Sequence, residues 1–300
     1  FSSILNVPSE LYSTIQSGID DALEGDTVLV SPNDEPYFEN LIIQKNITLA
    51  SWAIFEEDLS DWVLRDPETE LFEVENEYIA NTTIDGSHDT NGENKQSVIL
   101  INSPDNECIA PVIFGFTIQN GDGTLGGVEE ETQNGRELVQ KRLGGGIFSN
   151  NALPILNYNF IKDNKGDVQS GGIDKGGAYN NGTGVDLGEE FGRSSNNLRC
   201  EGVVDLSHNF YRDNEAQFGS TLGTTGFEGS IDMTNSIFDV YADNAEDVSE
   251  YWVNVEAADG YDASNGDGNL EAITYDVWVS PTGSDDASTT GTQSDSFKTI

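Results

Sequence analysis

The 300-residue chain carries 54 acidic against 13 basic residues, a formal net charge of −41. That sign excludes nucleic acid and anionic membrane surfaces as unaided partners, since both bind through basic patches. It also opposes polyuronates such as pectate or alginate unless a cation intervenes. Hydrophobic residues make up only 36% and no apolar run is long enough to span a bilayer, so the expected core is narrow and no membrane span is expected. The acidic excess reads first as a solvated, salt-tolerant exterior, and second as a source of carboxylates for divalent cations outside the cell.

The sequence opens at Phe1, without an initiator Met or a signal peptide, and reads as a mature or excised segment. Pro8–Gly25 predicts a helix over Ser13–Glu24. Ser13 and Gln16 have capping-box spacing, and Ile15, Ile19, Ala22 and Leu23 fall on one face. Gly25 stands where a C′ glycine belongs. Short apolar strands follow at Thr27–Val30, Leu41–Ile43, Ile47–Leu49, Thr82–Ile84 and Val98–Ile101. The helix is expected to cover the open end of the stack these strands form. Between Ser51 and Glu77 lies an acidic insertion with Trp52, Phe55, Trp62 and Phe72. Such rings either stack on sugars or seal the loop against the body, and the large apolar area of an indole favours sealing.

The chain then repeats itself. Leu206–Asn214 matches Leu156–Asn164 position by position, both ending in a basic residue followed by Asp-Asn, while Phe116–Asn120 and Met233–Asp239 are looser copies. With Gly126–Leu143 set aside as a polar inserted loop, Phe116 and Phe160 lie about 26 residues apart, a period typical of solenoids. Phe160 to Phe210 fits either two coils or one coil plus a polar insertion at 182–199. The shared phase of Phe116, Phe160 and Phe210 predicts that all three point inward and stack. Strands of β type make each repeat one coil of a parallel β-helix. Cys108 and Cys200 then fall about two coils, or roughly 10 Å, apart, so two separate thiols are expected unless a loop carries one across.

The entry run at residues 7–51 resembles the start of right-handed parallel β-helix proteins of the pectate-lyase-like superfamily. FGFTIQNG (114–121) and GGGIFSNN (144–151) resemble coils of bacterial surface proteins with parallel β-helix repeats. The resemblance covers about residues 5–255. It implies an all-β, right-handed parallel β-helix with an N-terminal capping α-helix. It leaves activity open, because one fold hosts lyases, esterases, hydrolases, epimerases and non-catalytic adhesins.

A lyase needs calcium held by carboxylates and an Arg or Lys base, for which Lys162, Asp163, Arg212 and Asp213 are the candidates. Against this, Asp-Asn pairs at coil corners are turn chemistry, since their side chains bond local backbone and tolerate αL. The paired-aspartate phrases of the superfamily's other hydrolytic enzymes are missing, and His88 and His208 sit in unrelated contexts, which gives a zinc or Ser-His-Asp site little support. Asn46-Ile47-Thr48, Asn81-Thr82-Thr83 and Asn181-Gly182-Thr183 match the glycosylation tripeptide, which a chain rich in Asn and Thr also supplies by chance. Residues 256–275 read as a linker in which Asp262, Asn265, Asp267, Asn269 and Glu271 set hard oxygens around Gly266 and Gly268 as a candidate calcium loop, although Ala263 stands where an EF-type loop begins with an acid. Residues 276–300 look like the truncated start of a second β-helix: Tyr275-Asp276-Val277-Trp278-Val279-Ser280-Pro281 reads as a strand entering a turn, and Phe297-Lys298-Thr299-Ile300 echoes Tyr12-Ser13-Thr14-Ile15. The expected role is a non-catalytic structural or adhesive module of a bacterial extracellular or cell-surface protein, with polysaccharide or other surface components as partners and calcium as the one cofactor. A polysaccharide lyase and a self-associating fibre subunit are the alternatives.

Overall fold

The computed structural model describes residues 2–66, 71–87, 96–104, 107–132, 135–165, 179–181, 200, 202–216, 221–225, 229–238, 251–254, 280 and 294. Among these, the dominant elements are short parallel strands gathered in three sheets. The first sheet stacks Ile4–Val7, Thr27–Val30, Thr48–Ser51, Val112–Phe114, Ile155–Asn157, Gly202–Asp205 and Gly229–Asp232. The second stacks Tyr37–Phe38, Thr83–Asp85, Thr117–Gln119, Phe160–Lys162, Phe210–Arg212 and Ile237–Phe238, and the third Leu41–Ile43, Ile99–Asn102, Ile147–Asn150, Tyr179–Asn181, Leu222–Thr225 and Tyr251–Asn254. From Thr27 onward the chain visits first, second and third sheet in unbroken rotation, so neighbours within a sheet belong to successive circuits.

Strands of three or four residues cannot stand alone, and what fixes them is the column each inward side chain makes with its equivalents above and below. In the first sheet Leu5, Val28, Leu49, Ile113 and Leu156 are in register; in the second, Ile84, Ile118, Ile161 and Tyr211. All nine are buried in one continuous apolar core. Each such side chain contributes about 1.5–3 kcal/mol on burial. Circuits also approach closely at backbone level. A Cβ on Gly121 would fall 1.9 Å from the carbonyl oxygen of Gly145, so the glycine turn at 144–146 requires glycine opposite it as well.

The N-terminal helix α1 spans Ile15–Asp21 and packs on Ile4–Val7, Thr27–Val30 and Leu41–Ile43. Its capping box is one residue further on than the Ser13/Gln16 spacing predicts: Thr14 is the N-cap, and Thr14 and Ser17 exchange the reciprocal side-chain bonds. The Glu39 carboxylate accepts from the N–H groups of Ile15 (2.8 Å) and Gln16 (2.9 Å), satisfying two more helix-end donors from outside the helix. The helix ends at an extended Ala22, so Leu23 is 72% exposed instead of buried, and Gly25, at φ 82°, serves the turn into Thr27 and not a C′ cap.

Three further expectations are corrected, and one left open is decided. Residues 126–143 are no loop but most of an antiparallel hairpin, Thr124–Thr132 paired with Gly135–Leu143. Of the two spacings open for Phe160 to Phe210, the single circuit is the one found, since the two are direct partners in register. Phe116 is out of phase with them: Thr117, not Phe116, aligns with Phe160. Phe116 therefore lies in the inner core, while Phe160 and Phe210 face outward into a second apolar cluster. The phase error arose because Asn159, not an apolar residue, occupies the position equivalent to Phe116. Finally, Cys108 and Cys200 form a disulfide, with Cα atoms 5.6 Å apart. The link from Asn102 to Val112 is longer than its counterpart from Asn150 to Ile155. It carries Cys108 across the intervening turn, where Ile109 and Cys200 bond to Leu153 and Asn151 on either side.

Candidate functional site

The outward face and corner of the second sheet bring together Lys162, Asp163, Arg212 and Asp213, the lyase candidates of the sequence. Phe160 and Phe210 stack in parallel at 4.6 Å. They are roofed by the insertion after Ser51, which folds as a 3₁₀ turn at Trp52–Phe55, an antiparallel pair Val63–Arg65 with Phe72–Val74, and the short helix α2 at Glu77–Ala80. Phe72 meets Phe210 edge-on at 6.2 Å and Trp62 meets Tyr158 at 5.8 Å. Ala53, Trp62, Val63, Ile79, Phe160 and Phe210 form a buried cluster separate from the inner core. Trp62 and Phe72 thus seal the insertion down, whereas Trp52 (41% exposed) and Phe55 (61%) remain at its outer edge, with Trp52 6.4 Å from Tyr78.

Lys162 and Arg212 are direct partners on adjacent strands, as are the turns that follow them. Asp163 and Asp213 both adopt positive φ, 52° and 53°, which confirms their service as corner residues. Lys162 lies 3.1 Å from Asp163. Arg212 donates to the Phe72 carbonyl at 3.1 Å, pairs with Glu73 at 3.7 Å and Asp213 at 3.6 Å, and lies over the Phe160 ring at 4.8 Å. Its guanidinium pins the roof to the sheet, a task that its planar donor fork suits. Neither cation stands free above an open groove as a general base requires.

Asparagines bracket these strands, and their extent was missed. Asn159 Nδ2 donates to the Ile113 carbonyl (3.0 Å) and to Asn209 Oδ1 (3.1 Å), and Asn209 Nδ2 donates to the carbonyls of Leu156 (2.6 Å) and Leu206 (2.7 Å). Asn164 and Asn214 repeat the arrangement at the far end of the same strands. The signal was present in the duplicated phrase, where the same Asn recurs at both places. Asp85 carried no such signal. Burial pushes its carboxyl up, but donors from Ser87, Gln119 (2.8 Å) and Asn120 (2.7 Å) outweigh that and hold it below the usual carboxylate range. With its acceptor sites so occupied, Asp85 is a structural anion and not a poised base.

Beside the roof, Asp58, Leu59, Ser60, Asp61, Trp62, Glu75 and Asn76 line a cavity of about 260 Å³. The N–H of Ser60 holds the Asp58 carboxyl below its ordinary range. The candidate calcium ligands Asp262, Asn265, Asp267, Asn269 and Glu271 and the strand expected at 275–281, apart from Ser280, lie outside the described residues. Among the described residues no group of three or more His, Cys, Asp or Glu side chains is placed to hold a metal ion, and no helix is long and apolar enough to cross a membrane. Comparison with known protein families, curated proteins and solved structures gives no match to this chain.

Proposed function

We propose that the rotating circuits build a right-handed parallel β-helix, the hand that parallel crossovers overwhelmingly take, and that the chain is a non-catalytic structural or adhesive module of an extracellular or cell-surface protein. The observation that carries this reading is the fate of Arg212 and Lys162. The two candidates for a polyuronate lyase's base are committed to the roof, the Phe160 ring and corner carboxylates. The Cys108–Cys200 disulfide supports an oxidising, exported setting. On this reading the exposed Trp52–Phe55 edge is the contact for surface glycans, and residues 262–271 supply a weak calcium site of the extracellular type. The helix cap over the first circuit stands against fibre growth through that end.

A glycan array probed with the whole chain, with millimolar calcium and with chelator, tests the reading. Binding to neutral or calcium-bridged glycans that falls away in Trp52→Ala supports it. Release of unsaturated products from a polyuronate, lost in Arg212→Ala, replaces it with the lyase.

A further inference from the structure

The ladder asparagines Asn159, Asn164 and Asn209 are buried, whereas Asn46 and Asn81 are exposed and each begins an Asn-x-Thr tripeptide. At Asn46, in the turn before Thr48–Ser51, the backbone N–H is 3.2 Å from both Glu24 carboxylate oxygens and the carbonyl accepts from Gly25 at 2.6 Å. The side-chain Oδ1 accepts from the N–H of Ala110 at 2.6 Å, tying this turn to the next circuit. Only Nδ2 remains without a partner among the described residues, on an exposed residue. At Asn81, which ends α2, the N–H donates to Glu77 and the carbonyl accepts from Asn33, while the exposed side chain has no partner among the described residues.

We infer that Asn46 and Asn81 are attachment sites for N-linked glycans. The chemistry fits the geometry atom by atom. Nδ2 forms the bond to the anomeric carbon of a sugar carried on a polyprenyl phosphate, the anomeric C–O bond breaks, the phosphate leaves with the electron pair, and Nδ2 surrenders one proton to the transferase. The amide carbonyl is untouched, so Asn46 Oδ1 keeps its bond to Ala110 after modification. The hydroxyl residues two places on, Thr48 and Thr83, are both only partly buried. The ladder asparagines give the contrast. Asn159, Asn164 and Asn209 spend Nδ2 on buried acceptors, and the residues two places after them are Ile161, Gly166 and Tyr211, so none is part of a tripeptide. Asn181 is left aside because its side chain lies outside the described residues.

This inference rests on the exported reading, and the experiment separates the two. Protein is recovered from the surface and medium of its own producing cells, and peptides containing Asn46 and Asn81 are read by tandem mass spectrometry. Each is expected to carry a sugar mass with its fragment ions. Thr48→Val and Thr83→Val keep both asparagines and the Ala110 bond, the second giving up only the 3.3 Å bond from the Thr83 hydroxyl to the Ala80 carbonyl; each should abolish the increment at its own site with little change in thermal unfolding of the sugar-free protein. Exported protein whose peptide is entirely at its bare mass overturns the assignment for that site alone. Protein confined to the cell interior overturns both the export and the glycans.

Discussion

The inner core and the roofed face are both apolar, yet they are built by opposite means. Inside, aliphatic side chains such as Ile84, Ile118 and Ile161 stack on their own equivalents, and any one circuit is a template for the next. Outside, Phe160 and Phe210 are covered by a segment that has no equivalent among the described residues of other circuits, and the Arg212 to Phe72 bond closes a sequence separation of 140 residues. The inner core is a repeat that propagates. The outer one is a single docking event, held by aromatic edges and one guanidinium. Such a roof is expected to open without unwinding the circuits, which makes it the natural place for a specific surface.

The largest expected effect comes from the residue that belongs to both the repeat and the roof. Phe210→Ala should cost about 3–5 kcal/mol, and hydrogen exchange should quicken first across the roof at residues 52–78. Uniform loss of protection through the inner strands would show that the two layers are one. Next in size is Asn209→Ala, which orphans the buried carbonyl of Leu156 and the N–H of Asn159 and leaves the Leu206 carbonyl with the Ser236 hydroxyl as its donor. A loss of about 2–3 kcal/mol is expected in chemical denaturation, and a change below about 0.5 kcal/mol would demote the ladder to incidental contact.

The smallest effect is tied to pH. The folded-state Asp85 carboxyl titrates below its unfolded value, so its stabilisation is complete above about pH 4 and is lost as pH falls through the lower folded value. Asp85→Asn should therefore be less stable than wild type at neutral pH, with the gap closing in acid. A gap that stays constant from neutral pH to pH 3 would show that the charge is not what the Ser87, Gln119 and Asn120 donors hold.

The contrast also explains what was legible in the sequence. The duplicated phrase at 156–164 and 206–214 carries its own register, so the strands, the αL corners at Asp163 and Asp213 and the rotation of circuits were all within reach of pattern reading. The inward or outward phase of Phe160 was not. In a three-residue strand flanked by Asn, apolar alternation is satisfied by Phe160 or by Ile161, and only the presence of a roof decides. That the roof docks on this face depends on Trp62, Phe72 and Arg212 meeting across most of the chain, which no local window contains. The disulfide failed for the same reason in miniature: even stacking places the cysteines two circuits apart, and the longer link at 103–111 removes that spacing.

A double-mutant cycle between Phe72 and Phe210 tests the central claim, that the conspicuous side chains of this face serve to dock the roof. Unfolding free energies of wild type, Phe72→Ala, Phe210→Ala and the double variant are compared under one set of conditions. The docked roof predicts a coupling of about 0.5–1.5 kcal/mol beyond additivity. Strict additivity, with both single variants destabilised, would mean that the two rings do not meet and that the face lies open.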